Sequence, residues 1–208
     1  MIKIVTIERE YGCGGGEIAH RLAEHLGWKL WDQWLTREIA KLAHCPKEVV
    51  ESREERTDPL YYRLLKSFMR GSYEGSINAP NLNLVDSETI LRITRQVVEH
   101  ASRRGNCVIV GRGAHYFLRQ RTDTLRVFLY APREDKVRRL LLRGKGEEAE
   151  KLVDTVDQER AVFIRKYFNA EWPGFAVYHV MINTMIGDDA VVRVILGLMQ
   201  AFETTVTA

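Results

Sequence analysis

The feature that most constrains the fold is a glycine cluster that directly follows an apolar N-terminal segment. Residues 1–7 (MIKIVTI) are rich in β-branched apolar residues, and residues 12–16 (GCGGG) hold four glycines around one cysteine. Apolar residues then recur at helical spacing as far as Leu26, and Gly27 stands where a helix C-cap is expected. The pattern predicts a buried strand, a glycine-rich turn and a helix, in that order.

A turn of this kind is suited to binding phosphate. Glycines let backbone N–H groups approach an anion closely, and the start of a helix offers unsatisfied N–H groups and a favourable dipole. A tight turn without a ligand is the simpler interpretation, but it needs fewer glycines. We therefore interpret the loop as a phosphate cradle made of Gly12, Cys13, Gly14, Gly15, Gly16 and Glu17.

The loop matches neither of the two common phosphate motifs in full. In a P-loop alignment Arg9 replaces the first glycine and Gly15 replaces the lysine, and no Ser/Thr follows to hold Mg²⁺. In a dinucleotide-binding alignment residues 12–14 and Asp32 fit, but Glu17 replaces the third small residue. The spacing after the strand suits the P-loop better, and a dehydrogenase-like site stays open as the weaker alternative.

Composition indicates one globular domain without a marked preference for nucleic acid. The 208 residues are 45% hydrophobic and 28% charged, with a net charge of +3, which suits an anionic ligand without requiring a polyanion. The three cysteines form no CxxC pair and indicate free thiols in a reducing cytoplasm. The sequence shows no apolar run of membrane-spanning length and no signal peptide, so we expect no membrane contact.

Short apolar strands alternate with helical patterns along the chain. This alternation predicts an α/β fold with a parallel sheet covered by helices on both faces. Residues 33–85 have helical patterns and end in a loop rich in Gly, Ser, Asn and Pro, so they are predicted to be a helical excursion rather than a domain. Arg138 and Arg139, on a basic helix after the fourth strand, are expected on a solvated face.

Polar residues follow two of the predicted strands. Asp32 ends the second strand, and Gly111-Arg112-Gly113 follows the third. Ligands of parallel α/β sheets bind at the carboxyl ends of the strands, so these residues and the glycine loop are expected to share one crevice. Asp32 could instead cap the next helix.

Taken together, these segments resemble the cytidylate kinase-like family, a branch of the P-loop nucleoside monophosphate kinases. The resemblance spans nearly the whole chain and is carried by IEREYGCGGGEIAHRLAEHLG, WDQWLTREIA, VIVGRGAHYFL, LRVFLYAPREDKVRRL and DTVDQERAVFIRKYF. It implies a P-loop NTPase-like three-layer fold with a five-stranded parallel sheet. It also implies that residues 33–85 bind the acceptor and that a lid lies at about residues 143–168.

The resemblance implies transfer of the ATP γ-phosphoryl group to a nucleoside monophosphate or a similar small phosphorylated acceptor, with Mg²⁺ on the phosphates. It assigns ATP binding to residues 12–17 and Arg165. It assigns acceptor binding to Asp32, Arg37, Arg112 and Asp157. The cations expected to stabilise the transferring phosphoryl group are Arg9, Arg112 and Arg160.

Two departures from the family pattern leave a second function open. The loop lacks a lysine, and Gly113 stands where ordinary cytidylate kinases have the aspartate of Gly-Arg-Asp. A carboxylate can accept a hydrogen bond from an exocyclic amino group, so its loss weakens the expectation of cytosine recognition. A catalytically silent nucleotide-binding or regulatory module on the same fold is therefore the alternative. The sequence leaves the oligomeric state open.

Overall fold

The computed structural model of the chain describes residues 1–32 and 87–205. The predicted helical excursion at residues 33–85, with Arg37, lies outside the described residues. The predicted division into a single domain with an acceptor-binding excursion and a lid stays a prediction.

Five parallel strands form one sheet, which confirms the predicted α/β class. The strands are β1 (Ile4–Arg9), β2 (Lys29–Trp31), β3 (Cys107–Val110), β4 (Thr124–Tyr130) and β5 (Val180–Asn183), in the spatial order β2-β3-β1-β4-β5. β1 lies between β3 and β4, with Ile7 paired to Val110 and Arg9 to Leu129. The glycine loop therefore leaves the sheet from its central strand, beside the end of β3.

Six helices lie in the described part of the chain. They are α1 (Gly15–Leu26), α2 (Ser87–Arg103), α3 (Ala114–Phe117), α4 (Arg133–Leu142), α5 (Glu148–Phe168) and α6 (Asp188–Thr205), with short 3-10 turns at Phe175–Val177 and Thr184–Ile186. Within the same residues, no helix has the length and apolar character needed to cross a membrane.

The helices cover the sheet on both faces. Successive side chains of a strand point to opposite faces, so each strand packs against helices on both sides. Ile4 of β1 packs with α2 and α5, whereas Val5 and Ile7 pack with α1 and α6. All six residues of β1 are buried, as expected of a central parallel strand. This arrangement gives the three-layer fold that the resemblance implied.

A third apolar cluster lies outside the sheet and supports the glycine loop. Tyr11 packs with Val137 and Leu140 of α4 and with residues of α5. A Cβ built on Gly12 would lie 3.4 Å from Leu140 Cδ1 and 3.2 Å from the Lys136 carbonyl oxygen. The loop is thus held between strand β1 and helix α4, and its position depends on this packing.

Two leucines on α4 allow a matched test of that support. Leu140 is fully buried, whereas Leu142 is 83% exposed. We expect Leu140→Ala to lower the free energy of unfolding by about 2–5 kcal/mol, because it leaves a cavity beside the loop. Leu142→Ala should change it by less than about 0.5 kcal/mol. Urea unfolding of both variants measures the difference, and equal losses would contradict the packing described here.

Candidate active site

The glycine loop has the backbone geometry of an anion cradle. Gly12 has φ of 83° and Gly14 has φ of 86°, which lie in the left-handed region that side chains disfavour. Gly14 is the N-cap of α1 and has no side chain with which to cap the helix. Its first-turn N–H groups are therefore donors that a phosphate could satisfy.

Contacts of Cys13 with Thr184 and with Leu129 of β4 hold the glycine loop in place. Thr184 donates its hydroxyl hydrogen to the Cys13 carbonyl oxygen at 2.7 Å, and the Cys13 thiol lies 3.6 Å from the Leu129 carbonyl oxygen. Burial raises the pKa of the Cys13 thiol to about 12. The thiol therefore stays protonated near neutral pH and acts as a small packing group.

Arg139 of α4 lies against the glycine loop. The expectation that it lies on a solvated face is therefore wrong. A Cβ built on Gly14 would lie 2.1 Å from Arg139 Nη1. The Arg139 side chain is only 26% exposed, and Asp188 at the start of α6 holds it at 3.1 Å. Its neighbour Arg138 does extend into solvent, where it pairs with Asp135. The sequence showed the basic helix but not the partner on α6.

The three arginines predicted to be catalytic come together at the ends of β1 and β3. Arg9, Arg112 and Arg160 are all at least 95% buried and, with Glu8, line one small cavity of about 10 Å³. Arg9 Nη1 lies 2.2 Å from the position that a Cβ on Gly111 would occupy. Neighbouring parallel strands thus bring the end of β1 beside the Gly111–Gly113 turn. The described residues that line the cavity include none of the glycine loop, residues 12–17, so the predicted shared crevice stays a prediction.

Arg112 is held in a strained backbone conformation beside a buried carboxylate. Its φ is 55°, uncommon for a residue with a side chain, and it stands between two glycines that also have positive φ. Arg112 Nη1 lies 3.6 Å from Asp32 Oδ1, and both side chains are almost completely buried. Burial lowers the pKa of Arg112 to about 10, although the Asp32 carboxylate opposes that shift. Backbone strain of this kind is concentrated at functional sites.

Asp157 and Arg160 bind the glycine loop to α5. Asp157 accepts a hydrogen bond from the Tyr11 backbone N–H at 2.8 Å, and Arg160 donates to the Arg9 carbonyl oxygen at 2.9 Å. The two side chains also pair with each other at 3.2 Å. Burial raises the pKa of Asp157 and lowers that of Arg160. The contacts described for Asp157 are with protein groups, so its predicted role toward the acceptor stays a prediction.

Two other predicted site residues lie apart from the arginine cluster. Arg165 is exposed on α5, and Glu17 forms an ion pair with Arg21 at 3.0 Å on the first turn of α1. Their predicted contacts with ATP also stay predictions.

The structure adds a network of buried polar side chains that the sequence analysis missed. Tyr178 Oη lies 3.3 Å from His115 Nε2, and His115 Nδ1 lies 3.7 Å from Glu8 Oε2. Glu8 Oε1 in turn lies 3.3 Å from Arg9 Nη1. Burial alone would raise the pKa of Glu8, but Arg9, His115 and Arg160 together lower it. In the sequence, Glu8 inside the apolar strand β1 was the signal that could have pointed to this buried polar network.

The buried imidazole of His115 makes stability depend on pH. Burial lowers the pKa of His115 from 6.5 to about 4, against the opposing charge of Glu8, while Arg126 favours the same shift. The unfolded chain therefore binds the proton more readily than the fold does, and protonation favours unfolding. Stability should be fully present above pH 6.5 and should fall as the pH drops toward 4, by roughly 3 kcal/mol over the whole window.

Urea unfolding at several pH values tests this assignment. We expect His115→Gln to flatten the dependence of the unfolding free energy on pH between 4 and 6.5. His100→Gln, which changes an exposed histidine near the end of α2, is the matched control and should keep the slope of the original protein. An unchanged slope in His115→Gln would contradict a buried neutral imidazole.

The sequence matches one protein family over most of its length. The model of the cytidylate kinase-like family matches residues 4–186. A cytidylate kinase of Ignicoccus hospitalis is 32% identical over 119 residues, which are 56% of this chain and 68% of that protein. A cytidylate kinase of Shewanella amazonensis is 35% identical over 74 residues, which are 36% of this chain and 32% of that protein.

Solved structures with a similar fold cover almost the whole chain. An uncharacterised protein from Eubacterium ventriosum superposes with a TM-score of 0.66 at 23% identity, covering 97% of this chain and 99% of its own. A shikimate kinase from Acinetobacter baumannii, solved with shikimate, superposes with a TM-score of 0.54 at 18% identity, covering 97% and 94%. At these identities the likeness shows the fold alone, a five-stranded parallel sheet covered by helices on both faces.

Proposed function

Because the chain belongs to the cytidylate kinase-like family, we propose that it transfers the γ-phosphoryl group of ATP to a nucleoside monophosphate. The curated relatives named above are cytidylate kinases, which supports a nucleotide acceptor. The protein acts in the cytoplasm under this proposal, and the buried free thiols of Cys13 and Cys107 suit a reducing compartment.

The observation that carries the proposal is the convergence of Arg9, Arg112 and Arg160 on one cavity. Phosphoryl transfer spreads negative charge over several oxygens, and an enzyme accelerates it chiefly by positioning and by fixed positive charge. Buried guanidinium groups at the ends of adjacent parallel strands supply such charge beside the glycine loop. The family resemblance assigns Arg112 to the acceptor side, where a guanidinium can bind a phosphate through two parallel hydrogen bonds.

The ATP side of the proposed site consists of the loop, the start of α1 and Arg139. The left-handed glycines and the first-turn N–H groups of α1 fit a chain of phosphates. Arg139, which lies against Gly14, provides a cation near the loop in place of the missing lysine. Among residues 1–32 and 87–205, no group of three or more His, Cys, Asp or Glu side chains could hold an ion. Mg²⁺ would neutralise phosphate charge when bound with ATP.

A silent nucleotide-binding module is the second candidate. The observation that favours it is the set of pairs that the cluster already makes, since Arg112 lies against Asp32 and Arg160 against Asp157. A coupled assay of ADP release, run with all common ribonucleoside and deoxyribonucleoside monophosphates, separates the two functions. We expect turnover with at least one acceptor. Binding of ATP by calorimetry without turnover above background would favour the silent module.

Arg112 provides a test of the acceptor side. Arg112→Lys keeps the charge beside Asp32 but loses the forked geometry, so we expect the acceptor KM to rise and kcat/KM to fall about tenfold or more. The Kd of ATP should stay nearly constant. Arg138→Lys, an exposed change on α4, is the control and should leave all three constants unchanged. Equal weakening of ATP and acceptor binding would contradict this division of roles.

Arg139 provides a separate test of the ATP side. Arg139→Gln removes the cation beside Gly14, so we expect the Kd of ATP to rise about tenfold, with a smaller change for the acceptor. Isothermal titration calorimetry measures both constants. If ATP binding is unchanged while the variant is as stable as the original protein, Arg139 only links α4 to Asp188.

A further inference from the structure

The buried network of Glu8, His115 and Tyr178 ends at Arg9, one of the three clustered arginines. Glu8 is the next-to-last residue of β1 and is only 5% exposed. Burying an ionised carboxylate costs free energy unless protein groups replace the water that it loses. The partners of this carboxylate therefore indicate its role. We refer to these three residues below as the Glu8 network.

Glu8 holds Arg9 at two points. Its Oε1 accepts hydrogen bonds from the Arg9 backbone N–H at 3.0 Å and from Arg9 Nη1 at 3.3 Å. Consecutive side chains of a strand point to opposite faces, so the Arg9 side chain curves over the end of β1 to reach this oxygen. Arg9 Nη1 then lies 2.2 Å from the position that a Cβ on Gly111 would occupy. The carboxylate thus keeps the guanidinium against the turn that carries Arg112.

The same carboxylate opposes the repulsion among the clustered arginines. Among the described residues that line their small cavity, Glu8 supplies the carboxylate, and Arg9, Arg112 and Arg160 supply the guanidinium groups. Burial lowers the pKa values of Arg112 and Arg160, the charge of Arg9 lowers them further, and the charge of Glu8 raises them. Like charges repel strongly where water is excluded. Without Glu8, the Arg9 guanidinium would be driven away from the other two.

The second oxygen of Glu8 faces the imidazole of His115. Glu8 Oε2 lies 3.7 Å from His115 Nδ1, and His115 Nε2 lies 3.3 Å from Tyr178 Oη. Burial lowers the pKa of His115 to about 4, so the imidazole is neutral near neutral pH and carries a single N–H. An ionised carboxylate only accepts hydrogen bonds. The partners therefore assign the N–H to Nδ1, and Nε2 accepts from the Tyr178 hydroxyl.

Aromatic packing holds His115 in this orientation. The imidazole is 1% exposed, and its centroid lies 4.2 Å from the ring of Tyr116 and 5.1 Å from the ring of Tyr178. Tyr178 in turn lies 4.9 Å from Phe128 of β4. Close-packed side chains in a core are confined to single rotamers. The orientation of the Glu8 carboxylate is therefore set by α3 and by the segment before β5, as well as by its own strand.

We propose that Glu8 and His115 are positioning residues, which hold the Arg9 guanidinium in the orientation that phosphoryl transfer requires. Glu8 binds Arg9 directly, and His115 orients Glu8 from the opposite side through its Nδ1–H. This inference rests on the proposed function, in which Arg9 stabilises the transferring phosphoryl group. The two residues act through Arg9 and not on a substrate, so their loss should lower kcat more than it raises either KM.

Steady-state kinetics of the full chain, with ATP and the fastest acceptor of the monophosphate panel, test the role of Glu8. Glu8→Gln keeps the size of the side chain but removes its charge. We expect kcat to fall about tenfold and both KM values to change less than about twofold. The matched control is Glu99→Gln, because Glu99 also pairs with an arginine, Arg95, on the partly exposed surface of α2. It should leave kcat unchanged.

Two variants of His115 separate positioning from packing. The amide nitrogen of asparagine is as many bonds from Cβ as Nδ1 is, so His115→Asn can still donate to Glu8. The amide nitrogen of glutamine corresponds instead to Nε2, so His115→Gln keeps only the side that faces Tyr178. Both variants lose the ring, and thermal unfolding should show a similar loss of stability. We expect kcat to fall about fivefold in His115→Gln and to stay within about twofold in His115→Asn.

An NMR spectrum of the imidazole nitrogens of the original protein at neutral pH tests the geometry without any turnover. The His115 signals are assigned by their absence from the spectrum of a His115 variant, and we expect a protonated Nδ1 and an unprotonated Nε2. The reverse tautomer would overturn the inference. If Glu8→Gln does not fold, the His115 variants and this spectrum decide, and if neither His115 variant folds, the spectrum decides with signals assigned through the neighbouring aromatic rings.

The outcomes separate this inference from the proposed function. An unchanged kcat in Glu8→Gln, or equal kcat values in His115→Asn and His115→Gln, would overturn the inference, while turnover by the original protein would leave the proposed function standing. If the original protein gives no turnover with any monophosphate, the proposed function fails, and the inference that rests on it fails as well.

Discussion

The structure depends most on the hydrogen bond between the Asp157 carboxylate and the backbone N–H of Tyr11. It joins helix α5 to the loop that leaves the central strand, and Lys136 of α4 reaches the same carboxylate at 3.5 Å. A loop rich in left-handed glycines has little conformational preference of its own, because glycine loses much backbone entropy on folding. Contacts from two helices therefore define its shape.

Helix α5 connects three parts of the proposed site. Arg160 near its middle holds the Arg9 carbonyl oxygen, and Phe168 at its end lies against Gly113. At 21 residues the helix is about 30 Å long, enough to reach from the glycine loop to the turn after β3. Any shift of α5 would alter the glycine loop, the arginine cluster and the turn after β3 together.

The buried charges are not explained by stability alone. The free energy needed to desolvate two paired ions is often as large as the attraction between them. Apolar residues of similar size often stabilise a core equally well or better. Yet three arginines, Arg9, Arg112 and Arg160, are buried near the carboxyl ends of β1 and β3. They lie beside the buried carboxylates of Glu8 and Asp32 and the partly buried carboxylate of Asp157. Under the proposed function, the site must stabilise the negative charge of the phosphates, which requires fixed, desolvated cations.

The sequence predicted the sheet and part of the site, because those features are local. β-branched runs, the glycine cluster and the Gly111-Arg112-Gly113 turn identify strand ends, and parallel strands bring their ends together. The positions of Arg139 and Phe168 were not predictable, because Asp188 and Gly113, which they contact, lie about fifty residues away along the chain. Helical periodicity identifies the faces of a helix but not the element that covers each face.

The side chain of Arg9 lies close to the position that the loop lysine would occupy. A Cβ on Gly15 would lie 3.0 Å from both Cβ and Cγ of Arg9, closer than ordinary side-chain contacts allow. The Arg9 side chain thus occupies the space that a lysine at residue 15 would need at its base. A side chain at residue 15 would therefore require Arg9 to shift by a few tenths of an ångström. The positive charge of this loop therefore comes from strand β1 and helix α4 instead of from helix α1.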